Sequence, residues 1–144
     1  MFERIVAAID DDGHRRQRVV EATSELAGVR NSSVLVAHIR ELERPAGTGR
    51  PTTVSAPPTL EDEGLAKALV EEALGAIRAR GVEARGVVRP GAASTAKELL
   101  QLANEFDANL IVVGDRGAHV TDLLLGGVAH RIVHGAPCPV LLIR

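Results

Sequence analysis

The stretch Leu110-Ile111-Val112-Val113-Gly114-Asp115-Arg116-Gly117 joins an apolar run of strand type to a turn that contains two glycines. A second pair, Gly126 and Gly127, follows three leucines and opens a short segment of helical type. Glycines at the carboxyl end of a strand let main-chain N–H groups and a helix N-terminus converge on an anion such as a phosphate. The pattern therefore predicts a nucleotide site at the end of a buried strand.

Strand-like and helix-like segments alternate outward from this stretch along the whole chain. Strands are predicted over Arg4–Ile9, Ser33–Ile39, Glu83–Val88, Asn109–Val113 and Val140–Ile143, and helices over about Gly13–Ala27, Glu61–Arg80, Ser94–Phe106 and Gly127–His134. Such alternation implies right-handed crossovers and a mostly parallel sheet with helices on both faces. The predicted fold is α/β, a five-stranded parallel sheet of order 3-2-1-4-5, in one domain over residues 1–144.

The predicted ligand site follows from that strand order. In open parallel sheets, ligands bind outside the carboxyl ends of the strands, where the winding direction reverses. In the order 3-2-1-4-5 the reversal lies between the first and fourth strands. The residues that leave those strands are Asp10-Asp11-Asp12 and Gly114-Asp115-Arg116-Gly117. The glycine turn is therefore expected at the ligand-binding edge.

The composition argues against several classes of partner. The chain has 17 basic and 19 acidic residues, a formal charge of -2, and no basic run that would favour nucleic acid or an anionic membrane. Phe2 and Phe106 are the only aromatic residues, so a base-stacking platform cannot be built. No apolar run approaches the roughly 18 residues that span a bilayer. The single cysteine, Cys138, excludes an intrachain disulfide, and we expect a cytoplasmic protein.

Residues 41–60 are predicted to form a flexible loop. The segment from Glu41 to Pro58 is rich in Pro, Gly and Thr and has no helical or strand period. Loops of this length in a compact domain are either functional, for example as lids, or disordered. The loop leaves the second strand on the edge where the site is expected.

The chain resembles the universal stress protein family in four segments. They are Ile5-Val6-Ala7-Ala8-Ile9-Asp10, Val36-Ala37-His38-Ile39, Ala108-Asn109-Leu110-Ile111-Val112-Val113-Gly114 and Ala136-Pro137-Cys138-Pro139-Val140-Leu141. The spacing Gly114-x2-Gly117, followed after about nine residues by glycine, is similar to the family's ATP-binding signature. The resemblance implies a Rossmann-like fold of the adenine nucleotide α-hydrolase type and a homodimer. It also implies that the chain binds adenine nucleotide or belongs to the branch of the family that does not.

The resemblance also implies roles for single residues. Asp10 would lie near the adenine or ribose, and the main chain of Ile39 would bond to adenine. The phosphates would be wrapped by Gly114, Gly117, Gly126 and Gly127. The cofactor implied is ATP or AMP.

The chain departs from the family pattern by extra carboxylates. The family commonly has Asp-Gly-Ser after the first strand and Gly-Ser-Arg-Gly after the fourth, so Asp11, Asp12 and Asp115 are additional acids here. Carboxylates near a phosphate pocket disfavour a polyanion, and Arg116, which we also assign to the nucleotide-binding residues, offsets one of them. Mg²⁺ held by Asp10 and the phosphates would reconcile the two.

The terminal strand, Val140–Ile143, is apolar and lacks the lysine or proline that protects an exposed sheet edge. Pairing with the same strand of a second copy would give a two-fold homodimer. The segment after the first strand lacks the Gly-x-Gly-x-x-Gly of a dinucleotide oxidoreductase and the Ser-Gly-Gly loop of the ATP pyrophosphatases. We therefore expect a binding module and not an enzyme. The alternative is a dimeric interaction protein of the same fold that binds no nucleotide.

Overall fold

The computed structural model describes residues 1–43, 57–91, 94–115 and 127–144. Its elements are β1 (Arg4–Ala8), α1 (Gly13–Arg30), β2 (Ser33–Arg40), β3 (Leu42–Glu43), β4 (Thr59–Leu60), α2 (Glu63–Arg78), β5 (Glu83–Pro90), α3 (Thr95–Glu105), β6 (Leu110–Gly114), α4 (Gly127–Gly135) and β7 (Val140–Ile143). Five of the strands form one sheet in the order β5-β2-β1-β6-β7, and all four pairings are parallel. In strand numbers that omit β3 and β4, this is the predicted order 3-2-1-4-5. The predicted fold class is confirmed.

Alternating side chains of the sheet divide the core into two clusters. On β1, Ile5 and Ala7 pack on the face covered by α1 and α2, whereas Val6 and Ala8 pack on the face covered by α3 and α4. Successive strand residues point to opposite faces, and helices cover both, so the central strands read as continuous apolar runs. Ile5, Val6 and Ala7 are fully buried.

Acidic and hydroxyl side chains begin three of the helices. Asp12, Asp62 and Ser94 are the N-caps of α1, α2 and α3, and each accepts a hydrogen bond from the main-chain N–H three residues further on. Such caps satisfy donors that have no partner within the helix. Among the described residues, no helix combines the length and the apolar character needed to cross a membrane.

Two details of the helices differ from the sequence-based expectation. α1 continues past Ala27 to Arg30, since the chain leaves the helix only at Asn31, whose φ of 53° is left-handed. In α2 the sequence repeats Leu65, Leu69, Ala73 and Ile77 every four residues, which predicts one apolar face, but Leu65 is 66% exposed and Ala66 is buried instead. The sequence also predicts that Gly81 ends this helix; the φ of Gly81 is 76°, the left-handed conformation common just after a helix, although α2 itself ends at Arg78.

A short antiparallel ladder that the sequence did not predict lies at the ends of the loop segment. Leu42 pairs with Leu60 and Glu43 with Thr59. The ladder fixes both ends of the segment beside the carboxyl end of β2. Residues 44–56, on which most of the flexible-loop prediction falls, lie outside the described residues.

Candidate functional site

A cavity of about 410 Å³ opens at the carboxyl ends of β1, β2 and β6, between the sheet and the starts of α3 and α4. Its walls come from β1 and β2 (Ala8, Ile9, Asp10, Ala37, His38, Ile39, Glu41), from β6 (Val113, Gly114) and from the two helices (Thr95, Leu99, Gly127, Val128, Ala129). β1 and β6 are the strands between which the winding direction reverses. The cavity therefore lies where ligands bind in sheets of this kind.

Four of the seven residues predicted to bind nucleotide line this cavity, namely Asp10, Ile39, Gly114 and Gly127. The other three, Arg116, Gly117 and Gly126, lie outside the described residues. The sheet brings the first group together because Asp10, Ile39 and Gly114 end or follow three neighbouring strands. Gly127 is not on the sheet; it is the first residue of α4, which covers the cavity.

Two donors in the described part of the chain bind the carboxylate of Asp10. Its Oδ1 accepts from the main-chain N–H of Asp12 at 3.0 Å, and its Oδ2 accepts from Nε of Arg15 at 2.6 Å. The Asp10 and Arg15 side chains are 18% and 19% exposed, so the ion pair is partly shielded from water. Burial alone would lower the pKa of Arg15, but its bond to Asp10 and the nearby acids raise the pKa. The guanidinium therefore stays charged.

Two further arginines, Arg16 and Arg144, contact the turn after β1 and the carboxylate of Asp115. Arg16 donates to the carbonyls of Asp10 and Asp11 at 3.1 and 3.2 Å. The carboxylate of Asp115 faces Nε of Arg144 at 3.8 Å and its side chain is 4% exposed. Two of the three acids that were expected to repel a polyanion, Asp12 and Asp115, thus lie beside an arginine, since Nη1 of Arg15 is 3.7 Å from Oδ2 of Asp12.

Gly114, which is predicted to contact phosphate, also has a role in packing. A Cβ at this position would lie 2.5 Å from Cγ and 2.6 Å from Cδ of Arg15. The missing side chain lets Arg15 cross the end of β6 on the α1 side and reach Asp10. At Gly127, by contrast, a Cβ would meet nothing within 4 Å.

The cavity wall on the α3 and α4 side is aliphatic. Leu99 and Ala129 are 4% and 3% exposed, and Val128 packs against the same core cluster. The polar side chains among the described lining residues are Asp10, His38 and Glu41 near the strand ends and Thr95 at the start of α3. An apolar wall with a few polar groups at one edge is typical of small-molecule sites. A heterocyclic base would be held there by aliphatic contact and main-chain bonds, without aromatic stacking.

Metal-binding chemistry finds little support in the described part of the chain. No group of three or more His, Cys, Asp or Glu side chains is arranged there to hold a metal ion. His130 and His134 are exposed and pack on each other, with 4.4 Å between ring centroids. A Mg²⁺ ion at Asp10 would have to compete with Arg15 for the carboxylate. That Asp10 binds metal stays a prediction.

The comparisons with known proteins agree with this architecture. The model of the universal stress protein family matches residues 1–144. The chain belongs to the universal stress protein family. Universal stress protein A homolog 1 of Coxiella burnetii is 33% identical to it over 147 residues, which cover 99% of this chain and 96% of that one. A universal stress protein of Thermus aquaticus is 34% identical, with both chains covered completely.

Solved structures of the same family have the same fold. The universal stress protein from Archaeoglobus fulgidus superposes with a TM-score of 0.76 at 28% identity, and both chains are covered completely. A universal stress protein from Archaeoglobus fulgidus in complex with dAMP superposes with a TM-score of 0.71 at 27% identity, covering 100% of this chain and 98% of the other.

Sequence reasoning missed several residues of the site. Arg15 and Arg16 lie in the first turns of α1, and their contacts depend on how the chain folds back over the turn at Asp10-Asp11-Asp12. Glu61 bonds to His38, 23 residues earlier, across the whole loop segment. The one available signal was that two arginines, Arg15 and Arg16, follow the three aspartates after Gly13 and His14. No local pattern pointed to the pairing of His38 with Glu61.

Proposed function

We propose that this protein binds adenine nucleotide, ATP or AMP, in the cavity at the carboxyl ends of β1, β2 and β6. The observation that carries the proposal is that the cavity lies at the reversal point of the sheet and is lined by Asp10, Ile39, Gly114 and Gly127. The family relative bound to dAMP supports the same class of ligand. The main chain at Ile39 would bond to the base, and the start of α4 at Gly127 would face phosphate oxygens.

In this proposal the protein acts as a stress-response module without catalytic turnover, in the cytoplasm, and as a homodimer paired through β7. The support for the dimer is that β7 is an edge strand of the sheet and is apolar throughout. Nucleotide occupancy would then be the signal that a partner protein reads. Mg²⁺ would accompany ATP and would have to compete with Arg15 for the Asp10 carboxylate. AMP carries less charge and needs no metal ion, so the ion pair of Asp10 with Arg15 favours AMP.

The test is calorimetric titration with AMP and with ATP, each with and without Mg²⁺. Val128→Phe should weaken binding by at least about tenfold, because the larger ring fills space between α4 and the sheet. Val133→Phe is the matched control, since Val133 is on the same helix but 42% exposed and outside the cavity. Absence of heat with both nucleotides would reject the proposal and favour a dimeric interaction protein of the same fold.

A further inference from the structure

His130 and His134 are two exposed histidines one turn apart on α4. Residues four apart lie on the same face of a helix. The ring centroids of the two histidines are 4.4 Å apart, and the ring planes are tilted by 55°. The cavity takes Gly127, Val128 and Ala129 from this helix but neither histidine. The pair therefore needs an explanation of its own.

The spacing of the two rings suits chelation of one metal ion. Imidazole nitrogens bind Zn²⁺ at about 2.0–2.1 Å, which places the centres of two rings on the same ion about 4.5–5 Å apart. Because the observed separation is 4.4 Å, small rotations of the side chains would bring one nitrogen of each ring to the ion. Imidazole suits Zn²⁺, Ni²⁺ and Cu²⁺, whereas Mg²⁺ and Ca²⁺ prefer oxygen ligands.

The number of ligands decides what kind of metal site this pair can form. A resident zinc centre has three or four protein ligands, and the described part of the chain contains no group of three or more such side chains. Two imidazoles, with water in the remaining coordination positions, hold an ion that exchanges with solution. Occupancy of such a site follows the concentration of metal ion around the protein.

The charges of α4 act on a bound ion in opposite directions. His134 lies in the last turn of the helix. The carbonyl groups that end a helix give it partial negative charge, which favours a cation there. Arg131, three residues before His134, is also exposed and repels a cation. The affinity must therefore come from chelation by both rings.

The helix that carries the pair is weakly anchored. α4 has 9 residues, and its buried residues are Ala129 and Ile132. Short helices gain most of their stability from packing rather than from their own propensity. An ion that binds both rings can do so only while the turn between them is helical, so binding stabilises the helix by mass action.

We propose that His130 and His134 chelate a divalent transition-metal ion such as Zn²⁺, and that the ion clamps the C-terminal half of α4. The site does not require nucleotide binding. It lies on the helix whose first residues form one wall of the cavity, because His130 directly follows Ala129. A bound ion would thus hold that wall in its helical form.

Calorimetric titration of the full chain with Zn²⁺ alone tests the chelate, and the wild type should bind one ion per chain at this site. His130→Ala, His134→Ala and the double variant should each lose at least about tenfold in affinity, and to the same extent, because a chelate needs both rings. All three should fold, since both positions are exposed and alanine favours a helix. His14→Ala, which removes an exposed histidine from α1, is the matched control and should bind like the wild type. Mg²⁺ should not compete with Zn²⁺ here.

Amide hydrogen exchange tests the clamp itself. Zn²⁺ should slow exchange within α4 of the wild type and leave it unchanged in His134→Ala. The inference would be overturned if the wild type bound no Zn²⁺, or if either single variant kept the wild-type affinity, since one ring would then suffice. An equal loss of affinity in His14→Ala would overturn it as well. Zn²⁺ binding that leaves exchange in α4 unchanged would contradict the clamp.

Discussion

At the scale of single residues, the two glycines of the cavity that the structure describes have different reasons to be glycine. Gly114 leaves room for Arg15, whose Cγ and Cδ would lie within 2.6 Å of a new Cβ. Gly127 has open space around it. Both glycines belong to the predicted nucleotide-binding signature, but only Gly114 is required to be small by its neighbours; at Gly127 a side chain would fit.

Gly114→Ala should lower the free energy of unfolding by about 1–3 kcal/mol, because Arg15 must move away from β6 and its ion pair with Asp10 is lost. Urea denaturation measures the change. Gly127→Ala is the matched control and should leave stability unchanged or raise it by up to about 1 kcal/mol, since alanine favours a helix. Equal destabilisation by both substitutions would contradict the packing role of Gly114.

At the scale of helices and strands, the start of α1 depends on its N-cap, Asp12. The main-chain N–H of Arg15 is the largest cause that lowers the pKa of Asp12 from its ordinary value of 3.8. A carboxyl whose pKa is lower in the folded state stabilises the fold above the unfolded pKa. The contribution is lost as the pH falls through the folded pKa.

Asp12→Asn should therefore be less stable than the wild type at neutral pH, and the difference should disappear on acidification. Asparagine still caps the helix but carries no charge toward its N-terminus. Urea midpoints over a series of acid to neutral pH values measure the difference. Asp11→Asn, which removes the same charge one residue away from the cap, should show a smaller pH dependence. An identical profile for the two variants would contradict the assignment of Asp12.

The elements also show which parts of the structure the sequence could predict. The alternation of strand-like and helix-like segments predicted the strand order. The strand order in turn predicted the edge of the sheet at which the cavity lies. Leu65 was assigned to the buried face wrongly, because a spacing of four fits two adjacent helix faces and only packing selects Ala66 over Leu65. The end of α1 was also set too early, since Gly28 is tolerated within the helix and Asn31 ends it.

The charges of the site were beyond sequence reasoning for a physical reason. Asp115 meets Arg144, 29 residues later, and Glu61 meets His38 across the loop segment. Such pairs form only after the sheet brings the strand ends together. Composition showed the acids after β1 and β6, but only the fold shows which cation lies beside each one.

At the scale of the whole molecule, the two edges of the sheet differ. β5 carries charged residues and ends in Pro90, whereas β7 consists of Val140, Leu141, Leu142 and Ile143. All four β7 residues are half-buried, since they pack on the core clusters but, among the strands that the structure describes, have a neighbour on one side alone. An unprotected apolar edge favours pairing with another chain.

Sedimentation should show a dimer for the wild type and a monomer for Leu142→Asp, because a buried charge at a paired edge is costly. Val133→Asp, a substitution of an exposed apolar residue outside the edge, should remain dimeric. Circular dichroism checks that Leu142→Asp is folded, since Leu142 also contacts the core. A monomeric wild type, or a folded Leu142→Asp that stays dimeric, would reject pairing through β7.

The division of the core into two clusters has a consequence for how the sequence of such a molecule can evolve. The helices whose residues line the cavity are α3 and α4, and α4 contributes only Ala129 and Ile132 as buried residues, whereas α1 and α2 contribute five each. Folding and recognition thus draw on different halves of the molecule. One half can keep the chain folded while the other accumulates substitutions that alter what it recognises, or whether it recognises anything.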